Sequence, residues 1–355
     1  MPDGSFASIF DEGITMNFKV KWKMNFFLII SLSFISMNQA IAFNIGVGVH
    51  PDGFYGTPEE FISLMKKYDI NSLRTDYKWN SVEKVKGQFS APNNKTEKVL
   101  DIAYKNGINP IVILDYGNEI YGKGKPITDE QISAFSNYAV WTVKHFEGKA
   151  KIFEIWNEWS NRVQPGANND ESAKNYVKLV AVVSKAIKNA NPQAIIIAGS
   201  FNPMDYIDLR WGQQIVKLGI LDNVDGLSIH PYTWGSKRAS VPELNIKMLD
   251  MTQQNLQVLA KTNKPIPFYI TEMGFPSSDK KNVLSQQEIA DYAYRYLLLA
   301  KTKPYIKGVW WYDFINDGNN KNYREHNFGI PNRDLSEKST TSDIKKASEQ
   351  LSAGE

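Results

Sequence analysis

The sequence contains no cysteine and only four histidines among its 355 residues. Disulfide bonds and thiolate metal sites are therefore excluded, and the histidines form no His-Glu-x-x-His pair of the kind that binds catalytic zinc. The net charge of +3 gives no broad positive surface for a nucleic acid. We therefore expect no metal, no cofactor and no nucleic acid partner.

Two common catalytic and binding motifs are missing as well. There is no Gly-x-Ser-x-Gly nucleophile elbow, and Gly46-Val47-Gly48 lacks the third glycine of a dinucleotide-binding turn. What is present is an ordinary globular balance of 42% hydrophobic and 22% charged residues. Aromatic residues make up 12% of the chain and include nine tryptophans, so sugar-stacking surfaces are available.

The first 42 residues are predicted to be a leader that contains a signal peptide. Lys19, Lys21 and Lys23 form a positive region, residues 26–35 form a short apolar run, and a small-x-small pattern predicts cleavage near Ala42. The run is too short and too polar for a comfortable membrane span, so a retained anchor is the less favoured alternative. We predict a secreted or periplasmic protein without stable membrane insertion, whose single catalytic domain is 43–355.

Short apolar runs typical of strands alternate with amphipathic stretches typical of helices along the rest of the chain. Alternation on this scale predicts a parallel sheet, and eight such units predict a closed (β/α)₈ barrel of the TIM type. An open, doubly wound sheet is the structural alternative, but it would have fewer strands. The predicted strands begin at Asn44, Asn71, Pro110, Lys151, Ala194, Gly226, Pro267 and Gly308.

Two glutamates stand where predicted strands end, Glu158 as the last residue of the fourth strand and Glu272 as the last residue of the seventh. The carboxyl ends of parallel barrel strands meet at one rim, which is where active sites form. Glycoside hydrolysis requires one acid that protonates the leaving oxygen and one carboxylate that attacks the sugar. Other polar and aromatic residues at the predicted rim are His50, Arg74, Asn157, His230, Tyr232, Trp310 and Trp311.

Four segments in the right order resemble the retaining glycoside hydrolases of clan A, and most of all family 39, the β-xylosidase and exopolysaccharide-hydrolase group. The likeness spans roughly residues 43–335. Trp159-Ser160-Asn161 follows Glu158 where Pro-Asn is common in family 39, so family 5 or a neighbouring family is the alternative. The segments are Leu73-Arg74-x-Asp76-x-x-Trp79, Ile155-Trp156-Asn157-Glu158-Trp159, Ile229-His230-Pro231-Tyr232 and Ile270-Thr271-Glu272-Met273-Gly274.

Chemistry and resemblance together imply roles for these residues. Glu158 would be the general acid and then the general base, with a pKa raised by burial and by a neighbouring Glu272. Glu272 would be the nucleophile, kept ionised by Arg74 and hydrogen-bonded by Tyr232. Asn157 would bind the sugar 2-hydroxyl, an interaction that strengthens in the transition state.

The subsite for the reacting sugar is less defined by sequence. His230 and either Trp310 or Trp311 are expected to line it, with an indole face as the stacking platform. His50 is either a substrate-binding residue or a loop histidine. The resemblance implies a separation of about 5–5.5 Å between the two carboxyl groups, as in retaining enzymes.

The predicted function is retaining hydrolysis of β-glycosidic bonds in an extracellular or periplasmic polysaccharide or oligosaccharide. Two alternatives remain open: a transglycosylase that uses the same residues, and a non-catalytic glycan-binding barrel, which would not need a paired acid and nucleophile. The segment 316–326 after the eighth strand is either a wall of the cleft or a surface loop.

Overall fold

A computed structural model of the protein describes residues 43–161, 166–237, 240–278 and 284–353. Eight parallel strands follow one another around a closed barrel, with the first strand paired to the last. The predicted (β/α)₈ barrel is therefore confirmed. The predicted leader and its cleavage position near Ala42 lie outside the described residues, so the signal peptide and the domain boundary stay predictions.

Strands and helices alternate as the sequence predicts. The strands are β1 (Asn44–Gly48), β2 (Ser72–Lys78), β3 (Asn109–Asp115), β4 (Ile152–Ile155), β5 (Ile195–Phe201), β6 (Gly226–Ile229), β7 (Phe268–Met273) and β8 (Ile306–Trp311). The helices are α1 (Pro58–Lys67), α2 (Trp79–Val82), α3 (Lys95–Ala103), α4 (Asp129–His145), α5 (Asp170–Ala190), α6 (Tyr206–Lys217), α7 (Pro242–Leu259), α8 (Gln286–Lys301) and α9 (Ser339–Ala353). Among the described helices, none combines the length and apolar composition needed to cross a bilayer.

Local signals fix where several helices begin. At the start of α1 the Thr57 side chain accepts a hydrogen bond from the Glu60 backbone, while the Glu60 side chain accepts one from the Thr57 backbone. Pro58 occupies the first helical turn, where its missing N–H costs nothing. The same reciprocal pairs are Thr128 with Gln131 in α4 and Ser285 with Glu288 in α8.

An apolar layer fills the barrel interior below the rim, and we call it the floor layer. Gly46 of β1 makes room for the largest of its side chains, because a Cβ atom at Gly46 would lie 2.2 Å from Trp310 Cδ1. The Trp310 indole N–H donates to Ser72 Oγ across the interior at 2.9 Å. The floor layer therefore closes the bottom of the cavity that opens above it. Its members are Ile111, Ile152, Ile197, Tyr269 and Trp310.

Candidate active site

Arg74 on β2 is the centre of a polar network at the rim. Its Nε donates to Glu154 Oε2 at 2.6 Å, and its two terminal nitrogens donate to Glu272 Oε1 and to Asn157 Oδ1, each at 2.8 Å. The guanidinium is buried, with 4% of the side chain exposed. Burial acts to lower the pKa of Arg74, but the charges of Glu154 and then Glu272 act in the opposite direction and raise it above its ordinary value. The group therefore stays charged.

Glu154 lies lower in the barrel, on β4, and is fully buried. Its Oε2 accepts from Arg74, while its Oε1 accepts from Ser200 Oγ at 2.7 Å and from Thr271 Oγ1 at 3.3 Å. Each of these three hydrogen bonds comes from a protein side chain that holds the carboxylate in place. Because it lines no part of the cavity described below, we assign it the task of orienting Arg74.

Glu272 is held from two sides. Arg74 donates to its Oε1, and Tyr232 donates its hydroxyl to Oε2 at 2.8 Å. Both contacts were expected from the sequence, and both are present. Burial and the Glu272 charge raise the pKa of Tyr232 well above its ordinary value, so the phenol remains a donor. The Glu272 carboxylate is thereby fixed as an acceptor of two charge-assisted hydrogen bonds.

Glu158 stands on an unusual piece of backbone. β4 ends at Ile155, three residues earlier than predicted, because Trp156 (φ 66°) and Glu158 (φ 47°) both adopt left-handed conformations. Such conformations are uncommon outside glycine and concentrate at functional sites. They turn the Glu158 carboxylate toward Glu272, so that one oxygen of each group lies within 4.8 Å of the other.

His230 lies between the two glutamates. Its Nδ1 is 3.1 Å from Glu158 Oε1 and 3.6 Å from Glu272 Oε2, and its Nε2 is 3.1 Å from Thr271 Oγ1. Burial lowers the pKa of His230, but the Glu272 charge and the hydrogen bond with Glu158 raise it more. The side chain is only 1% exposed and does not reach the cavity surface. The expectation that His230 lines the sugar subsite is therefore corrected: it supports the glutamates from behind.

The expected rise in the pKa of Glu158 is wrong for this structure. Burial acts to raise that pKa, but the hydrogen bond and the charge of His230, with smaller effects of Asn161 and Arg74, lower it below the ordinary glutamate value. Asn161 Nδ2 donates to Glu158 Oε2 at 2.8 Å. Proximity to Glu272 was the basis of the expectation, and the imidazole placed between the two carboxylates outweighs it.

A cavity of about 790 Å³ opens above the network. Its size is within the range of small-molecule binding sites. Both glutamates, Arg74, Asn157 and Tyr232 line it, and so does His50 at the end of β1. Asn157 Nδ2 donates to the Tyr116 hydroxyl at 3.1 Å, which fixes the amide at the cavity wall. The structure thus brings most of the predicted site residues to one cavity.

The predicted stacking role of Trp310 and Trp311 is wrong. Trp310 belongs to the floor layer, and Trp311 packs outside the barrel against Phe275 with a ring separation of 6.4 Å. Neither lines the cavity, and both are at most 2% exposed. Side chains alternate between the two faces of a strand, so the aromatic residue in phase with Trp310 and nearer the rim is Tyr312. Tyr312 does line the cavity.

The segment 316–326 forms a wall of the cavity. Arg324 and Glu325 line it, and the Arg324 guanidinium stacks on the Trp234 ring at 4.0 Å from the ring centre. The base of this wall is fastened by Lys338, whose Nζ donates to Asn316 Oδ1 and Gly329 O, each at 2.7 Å, and to Asn327 O at 3.3 Å. Both alternatives for this segment were compatible with the sequence, and Trp234 was not predicted, because a lone loop tryptophan carries no positional signal.

The fold and the site together define a class. Two carboxylates face each other at the ends of β4 and β7 of a (β/α)₈ barrel, which is the arrangement of the retaining glycoside hydrolases of clan A.

The chain belongs to the cellulase family, glycosyl hydrolase family 5, whose family model matches residues 39–313. The expected membership of clan A is thereby confirmed, and the family shown is the alternative to family 39 that the sequence left open. No curated protein matches the chain.

Several solved structures are similar in fold. A family 39 glycoside hydrolase from Bacteroides cellulosilyticus WH2 is 26% identical with a TM-score of 0.71, over 88% of this chain and 64% of that one, so this chain spans less than two thirds of its length. Xylanase 10B from Thermotoga maritima is 16% identical with a TM-score of 0.65, over 89% and 98% of the two chains. A monomeric β-xylosidase from Caulobacter crescentus CB15 is 15% identical with a TM-score of 0.61, over 85% and 67%.

Proposed function

We propose that the protein hydrolyses β-glycosidic bonds of a polysaccharide by double displacement, with Glu272 as nucleophile and Glu158 as acid and base. In the first step Glu272 attacks the anomeric carbon while Glu158 protonates the departing oxygen. In the second step Glu158 takes a proton from water, which attacks the same carbon and releases Glu272. The sugar keeps its anomeric configuration because it is inverted twice.

The spacing of the two carboxylates is the observation that carries this proposal. An oxygen of Glu158 and an oxygen of Glu272 lie within 4.8 Å of each other. Retaining enzymes place the two groups about 5–5.5 Å apart, whereas inverting enzymes leave about 6.5–9.5 Å for a water molecule. Arg74 and Tyr232 hold the Glu272 carboxylate in a fixed orientation, which is what a nucleophile requires.

The lowered pKa of Glu158 requires a source for the acid proton, and His230 supplies it. In the free site the pKa of His230 is raised and that of Glu158 is lowered, so the proton of the pair resides on His230. A bound sugar excludes water from Glu158 and favours its neutral form. The proton then has 3.1 Å to cross between His230 Nδ1 and Glu158 Oε1. After Glu158 has given this proton to the leaving group, it is ionised beside an esterified, neutral Glu272 and acts as the base. The proton that it takes from water then returns to His230 at 3.1 Å, which restores the free site.

The shape of the cleft favours a substrate longer than one sugar unit. A second cavity of about 440 Å³ shares Tyr116, Asn157, Glu158 and Asn161 with the first and continues toward Trp156. Glu158 therefore has space on both of its sides. The acid of a glycosidase stands between the sugar that reacts and the sugar that leaves. We assign the first cavity to the reacting side and the second to the leaving side.

The proposed substrate lies outside the cytoplasm. This part rests on the sequence of the first 42 residues, with three lysines ahead of an apolar run and a small-x-small pattern at Ala40–Ala42. An exported glycosidase meets extracellular or periplasmic polysaccharide, which includes the organism's own exopolysaccharide. Mass determination of the N-terminus of the exported protein tests it, and a mature chain beginning at Phe43 is the expected result.

Reducing-end release with mass spectrometry of the products tests the activity. The purified protein is incubated with xylan, glucans, mannan and a bacterial exopolysaccharide, and Glu272→Gln serves as the blank. We expect release by the wild type on at least one polymer and a loss on the order of 10⁴-fold in the variant. Products longer than the substrate would indicate transglycosylation, and silence of a folded protein that still binds glycan would indicate a binding barrel.

Two further variants separate the roles of the glutamates. Glu158→Gln should lose turnover on natural glycosides but keep the first step with a dinitrophenyl glycoside, whose leaving group needs no acid. Glu272→Gln should lose both. Glu349→Gln, at an exposed position on α9, is the matched control and should behave as the wild type. Near-normal turnover of natural substrate in either active-site variant would contradict the assignment.

A further inference from the structure

Three chemically active side chains meet where β1 and β8 leave the barrel. His50 follows β1, while Asp313 and Asp317 follow β8, and one donor atom of each lies within 4.8 Å of the other two. His50 Nε2 is 3.9 Å from Asp317 Oδ2. The first and last strands pair with each other, so residues from the two ends of the barrel sequence become neighbours. The mechanism proposed above uses none of the three.

Asp313 has a carboxylate oxygen that the protein leaves without a partner. The side chain is 1% exposed, and its Oδ2 is buried and makes no hydrogen bond to any described residue. A buried carboxylate oxygen of this kind is costly and calls for an explanation. The neighbouring cation Lys338 does not provide one, because its three hydrogens are directed to oxygens of Asn316, Asn327 and Gly329.

The donor set indicates the class of ligand. One imidazole nitrogen with two carboxylate oxygens suits Zn²⁺ or Mn²⁺, whereas Ca²⁺ prefers oxygen ligands throughout. Two carboxylates and a neutral imidazole also balance the charge of a divalent ion. Donors that share an ion at about 2.1 Å lie about 3.4 Å apart. The 3.9 Å separation therefore needs only a small movement of His50, whose side chain is 44% exposed.

We propose that His50, Asp313 and Asp317 bind one divalent transition-metal ion, Zn²⁺ or Mn²⁺, at the edge of the substrate cleft. The ion gives the unpaired carboxylate oxygen of Asp313 its missing partner and links the end of β1 to the loop after β8. Because His50 also lines the cavity, the proposed site adjoins the space where substrate is expected. The site shares no residue with the two catalytic glutamates. Metal binding can therefore be measured independently of glycosidase activity.

The test is a titration of the full chain, stripped with a chelator, with Mn²⁺ followed by electron paramagnetic resonance. We expect one ion per chain with a dissociation constant of about 10 µM or tighter, displaced by Zn²⁺ and not by equal Ca²⁺. His50→Gln and Asp317→Asn should each weaken binding at least about tenfold. Both positions are partly exposed, so these variants are expected to fold.

Matched controls separate this site from weak surface binding. His326→Gln removes a histidine of the same β8 loop, and Asp334→Asn removes a nearby exposed aspartate, and both should bind as the wild type does. Addition of Zn²⁺ should raise the thermal midpoint of the wild type and the controls but not of His50→Gln. Absence of saturable binding, or equal binding in His50→Gln, would overturn the proposal and leave a protonated His50 as the partner of the aspartates.

Discussion

The floor layer and the rim of this barrel are built from the same strands. On β4 and β7 a residue of the floor layer and a residue of the rim are only two positions apart. Ile152 on β4 lies in the floor layer, and Glu154 lies one step higher in the polar network. Tyr269 and Thr271 are related in the same way on β7. Side chains of one face recur every second residue, so a strand can supply apolar packing at one level and chemistry at the next.

The two levels differ in what they contribute to stability. The floor layer removes apolar surface from water, which stabilises the barrel directly. The rim holds Arg74 with two carboxylates at 4%, 0% and 10% side-chain exposure, and a buried ion network of this kind is at best weakly stabilising. The comparison indicates that the rim is maintained by the scaffold beneath it, and the proposed function gives the reason for a rim that adds little stability of its own.

Arg74→Met should have the largest effect, because it lowers the free energy of unfolding and the turnover rate at once. It leaves Glu154 and Glu272 buried without their cation, which costs about 3–5 kcal/mol of the free energy of unfolding. It also releases Glu272, the proposed nucleophile, and Asn157, so kcat should fall on the order of 10³-fold. Denaturant unfolding and steady-state kinetics on the same preparation measure the two losses.

The control for this prediction is Arg295→Met. Arg295 also contacts two acids, Glu243 at 2.5 Å and Asp291 at 2.7 Å, but it lies on the surface with 41% of its side chain exposed. Its removal should cost no more than about 1 kcal/mol and leave kcat unchanged. Equal destabilisation by the two substitutions would show that burial does not determine how much stability is lost when the arginine at the rim is removed.

Trp310→Ala should reduce stability about as much as the first variant but leave the chemistry almost intact. Truncation of a buried tryptophan costs about 3–5 kcal/mol, and Ser72 also loses its donor. Per folded molecule, kcat/KM should stay within a few fold of the wild type. Tyr312→Ala is the matched substitution one level higher and should raise KM with little loss of stability. If Trp310→Ala abolished turnover in folded protein, the separation of the two levels would not hold.

The smallest predicted effect concerns the pH dependence. The Glu158–His230 pair must carry one proton, so kcat/KM is lost as the pH rises through the raised pKa of His230, above its ordinary 6.5. In His230→Asn only Glu158 can carry that proton, and the alkaline limb should move about one pH unit lower. His326→Asn should not move it. An unchanged limb in His230→Asn would remove His230 from the proton path.

Much of this arrangement could be read from the sequence because it depends on local patterns. Apolar runs and turn signals predict the strands, and strand order then predicts that Glu158 and Glu272 meet at the rim. The contacts of Arg74 and Tyr232 with Glu272 followed from strand ends in the same way. Each of these inferences needs only the register of a residue within its own strand and the closure of the barrel.

The features that could not be predicted depend on how high a side chain lies in the barrel and on contacts with residues distant in sequence. Trp310, Trp311 and Tyr312 are consecutive aromatics, and only the observed end of β8 shows which of them reaches the cavity. The pKa of Glu158 was predicted in the wrong direction because His230 comes from another strand and lies between the two carboxylates. The meeting of His50 with Asp317 likewise has no local signature.

The two glycines of β1 have a consequence for how this chain folds. Gly46 leaves the space that Trp310 fills, and Gly48 leaves the space beside Tyr312, whose ring lies 3.1 Å from where a Cβ atom would be. The first strand is therefore shaped to receive the last, because two of the three positions on its inner face, Gly46 and Gly48, carry no side chain. During synthesis β1 emerges long before β8, and their pairing is the contact of greatest sequence separation among the strands. Closure of the ring is expected to be a late and slow event, with an open-edged arc of strands preceding it.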